Sequence, residues 1–247
     1  MIPFRDDNPT RTFPFVVVGI IAANVVVYLY QTLLPLPQQA LFVYTHGAIP
    51  AVLLGKVTLA QVLPREAQAA ALLSDVPMAP MQPAWLTIFT SMFLHGGFFH
   101  LAGNMLYLWI FGNNVEDVLG HFRFIVFYLF CGLIAASAHV LTSLGSPVPM
   151  VGASGAIAGV LGAYYMKFPH ARIRCLVFLF FFITVVMLPA GLVLLLWFLM
   201  QVWSSLQPHS GPGGVAFFAH IGGFIAGWAL IRRFEPRRRP RLLGWGR

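Results

Sequence analysis

Residues 150–162 read MVGASGAIAGVLG, a hydrophobic run that holds one hydroxyl, Ser154, between Gly152 and Gly155. Serine is a weak nucleophile until a base takes its proton. His220, in the stretch AHIGGFIAG, is the candidate base. An imidazole can accept the serine proton and return it to a leaving amine. The tetrahedral intermediate then needs N–H donors for its oxyanion. His100 and Asn104 stand at i and i+4 and so share one helix face. Together with the Ser154 backbone N–H they could supply those donors. No carboxylate falls at this level, since Glu116 and Asp117 lie about 18–20 Å further along the same helix. The chemistry this permits is hydrolysis by a Ser–His dyad with no acid behind the histidine.

The other histidines fit less well. His46 and His209 fall in outer loops, His121 and His170 on the inner side, and His139 in an apolar segment without an evident partner. His95 precedes the His100 helix and reads as structural. No carboxylate or thiolate joins them at ligand spacing, so neither a metal nor another cofactor is expected. Cys131 and Cys175 read as small apolar packing groups.

The elements that must position these groups are membrane spans. The chain has 247 residues, of which 59% are hydrophobic and 9% charged. Its mean hydropathy is +0.80. Soluble domains carry roughly 25% charged residues, so the composition implies an all-α polytopic membrane bundle forming one domain. Six spans are expected at about residues 13–34, 97–115, 124–144, 151–168, 189–206 and 215–231. The first is too long for a signal-peptide core and has no small-x-small cleavage site. Residues 1–12 read as polar and frayed. The long first loop, residues 35–83, is expected to lie partly in the membrane interface. Residues 175–188 read as embedded but not spanning, and 207–214 as an uncharged loop.

Charge orients the bundle. The net charge is +8. With a cytoplasmic N-terminus, the inner segments hold Arg5, Arg11, Arg123, Lys167, Arg172, Arg174 and the seven arginines of residues 232–247, thirteen in all. The outer segments hold only Lys56 and Arg65. The positive-inside rule therefore places both termini in the cytoplasm. The basic tail reads as an anchor facing anionic lipid and not as a nucleic-acid surface. In this orientation Ser154, His220, His100 and Asn104 all fall about 5–10 Å below the outer ends of their spans. Gly155, Gly159 and Gly162 strip one face of the fourth span, and Gly223 and Gly227 strip one face of the sixth. Two bare faces allow close helix approach, which would carry His220 to Ser154.

Three stretches, HGGFFHLAGN at residues 95–104, GASG at 152–155 and AHIGGFIAG at 219–227, resemble in order and depth the motifs of the rhomboid intramembrane serine proteases. The resemblance runs from the first span through the sixth. It implies a six-span bundle with Ser154 as nucleophile and His220 as general base and acid. It implies oxyanion donors at His100, Asn104 and the Ser154 amide, and a motif glycine at Gly152. Glu116 would match the family's structural acid at the inner end of span two. The first loop would be the family's membrane-embedded loop. Substrates would be single-span membrane proteins cut near the outer leaflet of the cell or inner membrane, beside a small residue.

Two positions depart from the family pattern. Leu86 and Thr87 stand where many members carry a Trp-Arg pair, with Trp85 one step earlier. Ala158 stands where many members place an aromatic ring under the catalytic histidine. A ring from another span could take that place. A catalytically silent relative that binds and escorts membrane proteins is the alternative reading; the presence of both Ser154 and His220 argues against it. A transporter would show inverted repeats and broken helices at the midplane, and neither is evident.

Overall fold

The computed structural model describes residues 1–73, 82–179, 182–207 and 216–236. The chain opens with strand β1 (Ile2–Asp6) and helix α1 (Phe15–Leu33). Helices α2 (Leu36–His46) and α3 (Arg65–Leu73) follow, with short helical turns between them. Further short turns over residues 84–93 lead to α4 (Phe98–Leu119), α5 (His121–Thr142) and α6 (Ser154–Lys167). Strands β2 (Arg172–Leu179) and β3 (Phe182–Pro189) form a hairpin. The described chain ends with α7 (Ala190–Ser205) and α8 (Phe217–Phe234). Of the expected loop at 207–214, all but residue 207 lies outside the described residues, His209 included, as does most of the basic tail.

Helix α6 is the axis of the bundle. It packs against α8, α5, α4 and α7, and every residue from Ala156 to Tyr164 is buried. Its glycines explain how so many neighbours come close. A Cβ on Gly159 would collide with Cys131 of α5. On the other side, a Cβ on Gly223 or Gly227 would run into the carbonyl oxygens of Gly155 and Gly159. The α6–α8 contact is thus main chain against main chain. Gly120, at φ 75°, is the hinge joining α4 to α5, and only glycine adopts that conformation without strain.

Among the described residues, Phe15–Leu33 and His121–Thr142 are long and apolar enough to cross a membrane by length and composition alone. Helix α6 has 14 residues, about 21 Å, and starts at Ser154 instead of at residue 151. Helices α4 and α8 have the length but carry the amides, imidazoles and glycines that face the interior.

The all-α expectation is corrected by a three-stranded antiparallel sheet in the order β1-β2-β3. Residues 173–188 are rich in β-branched and aromatic side chains, which suit an extended hairpin. The hairpin leaves one β2 edge open, and the N-terminus fills it. Ile2 pairs with Leu176 and Asp6 with Ile173. Arg174 Nε meets Asp7 at 3.0 Å. The N-terminal residues are therefore strand and not frayed chain. The first loop is likewise built. Leu41, Ile49, Leu59, Leu63, Ala67 and Ala71 form a small core of their own.

Glu116 explains how the C-terminal end of α4 closes against α1. Its carboxylate accepts the N–H groups of Val16 at 3.0 Å and Val17 at 2.8 Å, capping α1, and meets His121 Nδ1 at 2.5 Å. The first N–H groups of any helix lack intrahelical partners, so this fully buried acid has a structural task. Tyr164 donates to Asp6 at 2.7 Å at the same end.

Candidate active site

The approach to Ser154 is pinned on both sides. Met150 and Ala48 exchange main-chain hydrogen bonds of 2.8 and 3.1 Å, and the Gly152 N–H donates to the Ser91 carbonyl at 2.8 Å. Gly152 has φ 122°, which turns the chain into α6 at Ser154. The serine therefore sits at a helix N-terminus, where unpaired N–H groups and the helix dipole favour negative charge.

His220 lies in the first turn of α8, and its Nε2 is 2.8 Å from Ser154 Oγ. Its Nδ1 is 2.8 Å from Gln201 Oε1 on α7. The Trp197 ring, one turn earlier on α7, lies 5.9 Å from the imidazole, tilted 36°. Ala158 cannot offer a ring here: its Cβ would be 3.3 Å from one placed on Gly223, so it belongs to the α6–α8 seam. The sequence reading missed Gln201 and Trp197. The available signal was an amide in an otherwise apolar stretch of α7.

His100 and Asn104 face the same place from α4. A Cβ on Gly152 would lie 2.8 Å from the His100 ring and 3.6 Å from Asn104 Nδ2. His95 is fully buried, and its Nε2 is 2.9 Å from Asn104 Nδ2. That bond uses one amide hydrogen of Asn104 and leaves the second free to donate. His95 thus orients Asn104, and the Gln31 side chain holds the His95 carbonyl at 2.9 Å. Ser154, His220, His100, Asn104, Gln201 and Trp197 all line one cavity of about 1040 Å³, which His139 also borders. Gly155 also borders the cavity; Gly223 and Gly227 stand in the α6–α8 seam, and Glu116 is at the opposite end of α4. Thr90 Oγ1 donates to the His46 carbonyl at 2.6 Å, tying the first loop to the site where the Trp-Arg pair is missing. Among the described residues no group of three or more His, Cys, Asp or Glu could hold a metal.

A helical membrane bundle with a serine hydroxyl, an imidazole and amide donors around one cavity is the class this site defines. The rhomboid domain profile matches residues 82–235, which include α4 to α8 and every side chain that lines the site. The chain belongs to the rhomboid family, is homologous to rhomboid serine proteases, and is a membrane protein. It is 33% identical over 173 residues to rhomboid protein 1, mitochondrial, of Saccharomyces cerevisiae, covering 66% of this chain and 46% of that one. It is 32% identical over 164 residues to the mouse presenilin-associated rhomboid-like protein, mitochondrial, covering 63% and 41%. Over 82 residues it is 44% identical to the rhomboid protease GluP of Bacillus subtilis, covering 33% and 16%. The matched stretches span less than half of each relative's length.

Proposed function

We propose that this protein is an intramembrane serine endopeptidase acting through a Ser154–His220 dyad. The observation that carries the proposal is the 2.8 Å contact between Ser154 Oγ and His220 Nε2 inside a cavity within the bundle. Ser154 Oγ attacks the scissile carbonyl carbon while its proton passes to His220 Nε2. The carbonyl oxygen becomes an oxyanion held by the Ser154 amide, Asn104 Nδ2 and His100. Collapse breaks the C–N bond, and His220 returns the proton to the leaving amine. Water, deprotonated by His220, then hydrolyses the acyl-enzyme and restores the serine.

The bundle crosses the cell or inner membrane six times, with both termini cytoplasmic and the cavity open to the extracytoplasmic side. The thirteen-to-two charge bias supports this orientation. The first loop lies partly in the membrane interface. Substrates are single-span membrane proteins whose helix unwinds near the outer leaflet, as the resemblance to rhomboid proteases implies.

Labelling with a serine-reactive fluorophosphonate in detergent, beside cleavage of a model single-span substrate, tests this. Both are expected in the wild type and neither in Ser154→Ala or His220→Ala, with losses of several orders of magnitude in cleavage. A wild type that neither labels at Ser154 nor cleaves any span would favour the silent, escorting alternative.

A further inference from the structure

A neutral imidazole carries one N–H, and its position decides whether Nε2 can act as a base. Where a serine and a histidine work as a pair, a third group commonly orients the ring. Among the described residues no carboxylate is hydrogen-bonded to His220. The Gln201 amide oxygen is, 2.8 Å from Nδ1, while Nε2 faces Ser154 Oγ at the same distance. An oxygen at Nδ1 accepts a hydrogen bond, so the ring proton belongs on Nδ1 and the Nε2 lone pair points at the serine. Trp197 and Gln201 are i and i+4 on α7, so one helix face delivers both ring and amide to the imidazole.

We propose that Gln201 is a positioning residue, which holds His220 in the tautomer that can take the Ser154 proton. This rests on the serine-protease reading above and extends it with a third group. An amide suits the setting. A carboxylate in its place would add a charge within the bundle, where charge is costly, whereas the amide directs the ring without one. The support also comes from a helix different from the one expected. Ala158 on α6 leaves no room for a ring because α8 packs directly against it, and the task passes to α7.

The test compares Gln201→Met, which keeps length and bulk but has no acceptor, with Gln201→Glu, which keeps an acceptor oxygen. In detergent, kcat and KM are measured on a model single-span substrate. In parallel, the 15N resonances of the imidazoles are recorded, those of His220 being identified by their loss in His220→Ala. The wild type is expected to carry the His220 proton on Nδ1. Gln201→Met is expected to lose that preference and to drop kcat about ten- to thirtyfold, with KM within about twofold, the scale of one orienting hydrogen bond. Gln201→Glu is expected to recover most of that kcat. A wild type protonated at Nε2, or a methionine variant with wild-type kcat, overturns the proposal. So does a glutamate variant slower than the methionine variant, which would mean that Gln201 merely fills space. If Gln201→Glu does not fold, the wild-type tautomer and the methionine kcat still decide. Cleavage that persists in Ser154→Ala defeats the protease reading itself. Cleavage lost in Ser154→Ala but unchanged in Gln201→Met defeats only the role of Gln201.

Discussion

Replacing Gly223 with alanine puts one methyl group into the seam between α6 and α8. That carbon would fall inside contact distance of the Gly155 carbonyl oxygen, 3.1 Å from its carbonyl carbon and 3.3 Å from Ala158 Cβ. The obstacle is main chain in a buried helix, so no rotamer change relieves it. Relief needs α8 to withdraw by about 1 Å. Gly155 adjoins Ser154, and His220 precedes Gly223 by less than one turn, so the withdrawal falls directly on the dyad. The 2.8 Å contact would open to roughly 3.8 Å, past the ~3.2 Å reach of a general base. A misplacement of about 1 Å lowers the rate on the order of 10²-fold, and overpacking separately costs about 1–3 kcal/mol of stability. Fluorophosphonate labelling of Ser154, substrate cleavage and the thermal midpoint are read on one detergent preparation. Gly19→Ala on α1 is the control, because its added carbon meets nothing within 4 Å. A Gly223→Ala variant that cleaves and labels at the control's rate would refute the idea that this seam sets the dyad distance.

Gly152→Ala should lower kcat about 10²-fold, since the new carbon meets the His100 ring at 2.8 Å. The strained φ of 122° adds about 1–3 kcal/mol of destabilisation; steady-state cleavage and a melting curve check both, and an unchanged kcat would count against an oxyanion role for His100. Glu116→Gln should destabilise the fold by about 1.5–3 kcal/mol by weakening two charge-assisted caps on α1. Its Ser154 labelling per folded molecule should match the wild type, and a selective loss of labelling would contradict a purely structural Glu116. Burial raises the Asp6 carboxyl above its ordinary value of 3.8, against the opposing pull of its hydrogen bond from Tyr164. A carboxyl raised in the folded state favours folding most below its unfolded value, and that contribution is lost as pH rises through the raised value. Asp6→Asn should escape this decline, so its stability relative to the wild type should grow as pH increases from about 3 towards neutrality. Melting curves across that range would show a constant difference if Asp6 does not titrate in this way.

The residues of the candidate site were legible because each is a polar group in an otherwise apolar segment. Ser154, His220, His100 and Asn104 stand out at one depth, and the glycine rows of α6 and α8 explain how they meet. Gln201 was not legible, because an amide in a span reads as interhelical glue until the rotation of α7 against α8 is known. Ala158 announced a missing ring but not its substitute. The hairpin escaped notice because an unbroken apolar run such as 175–188 has no period to separate strand from helix. Its partner, Ile2–Asp6, is too short and too distant to be read from local pattern. Glu116 showed as an acid at the inner end, but its partners, the Val16 and Val17 amides, lie about 100 residues earlier and are main chain.

Helix α6, enclosed by protein on every side, has a consequence for how the chain is made. A 14-residue helix with three glycines gains little from lipid and inserts poorly by itself. In the folded bundle α5 and α8 enclose it. Ser154 and His220 are 66 residues apart, and the imidazole comes on α8, the last of the described helices to leave the ribosome. A nascent chain halted before α8 carries a hydroxyl with no partner and an open seam. The Ser154–His220 pair is therefore assembled only when α8 closes the bundle.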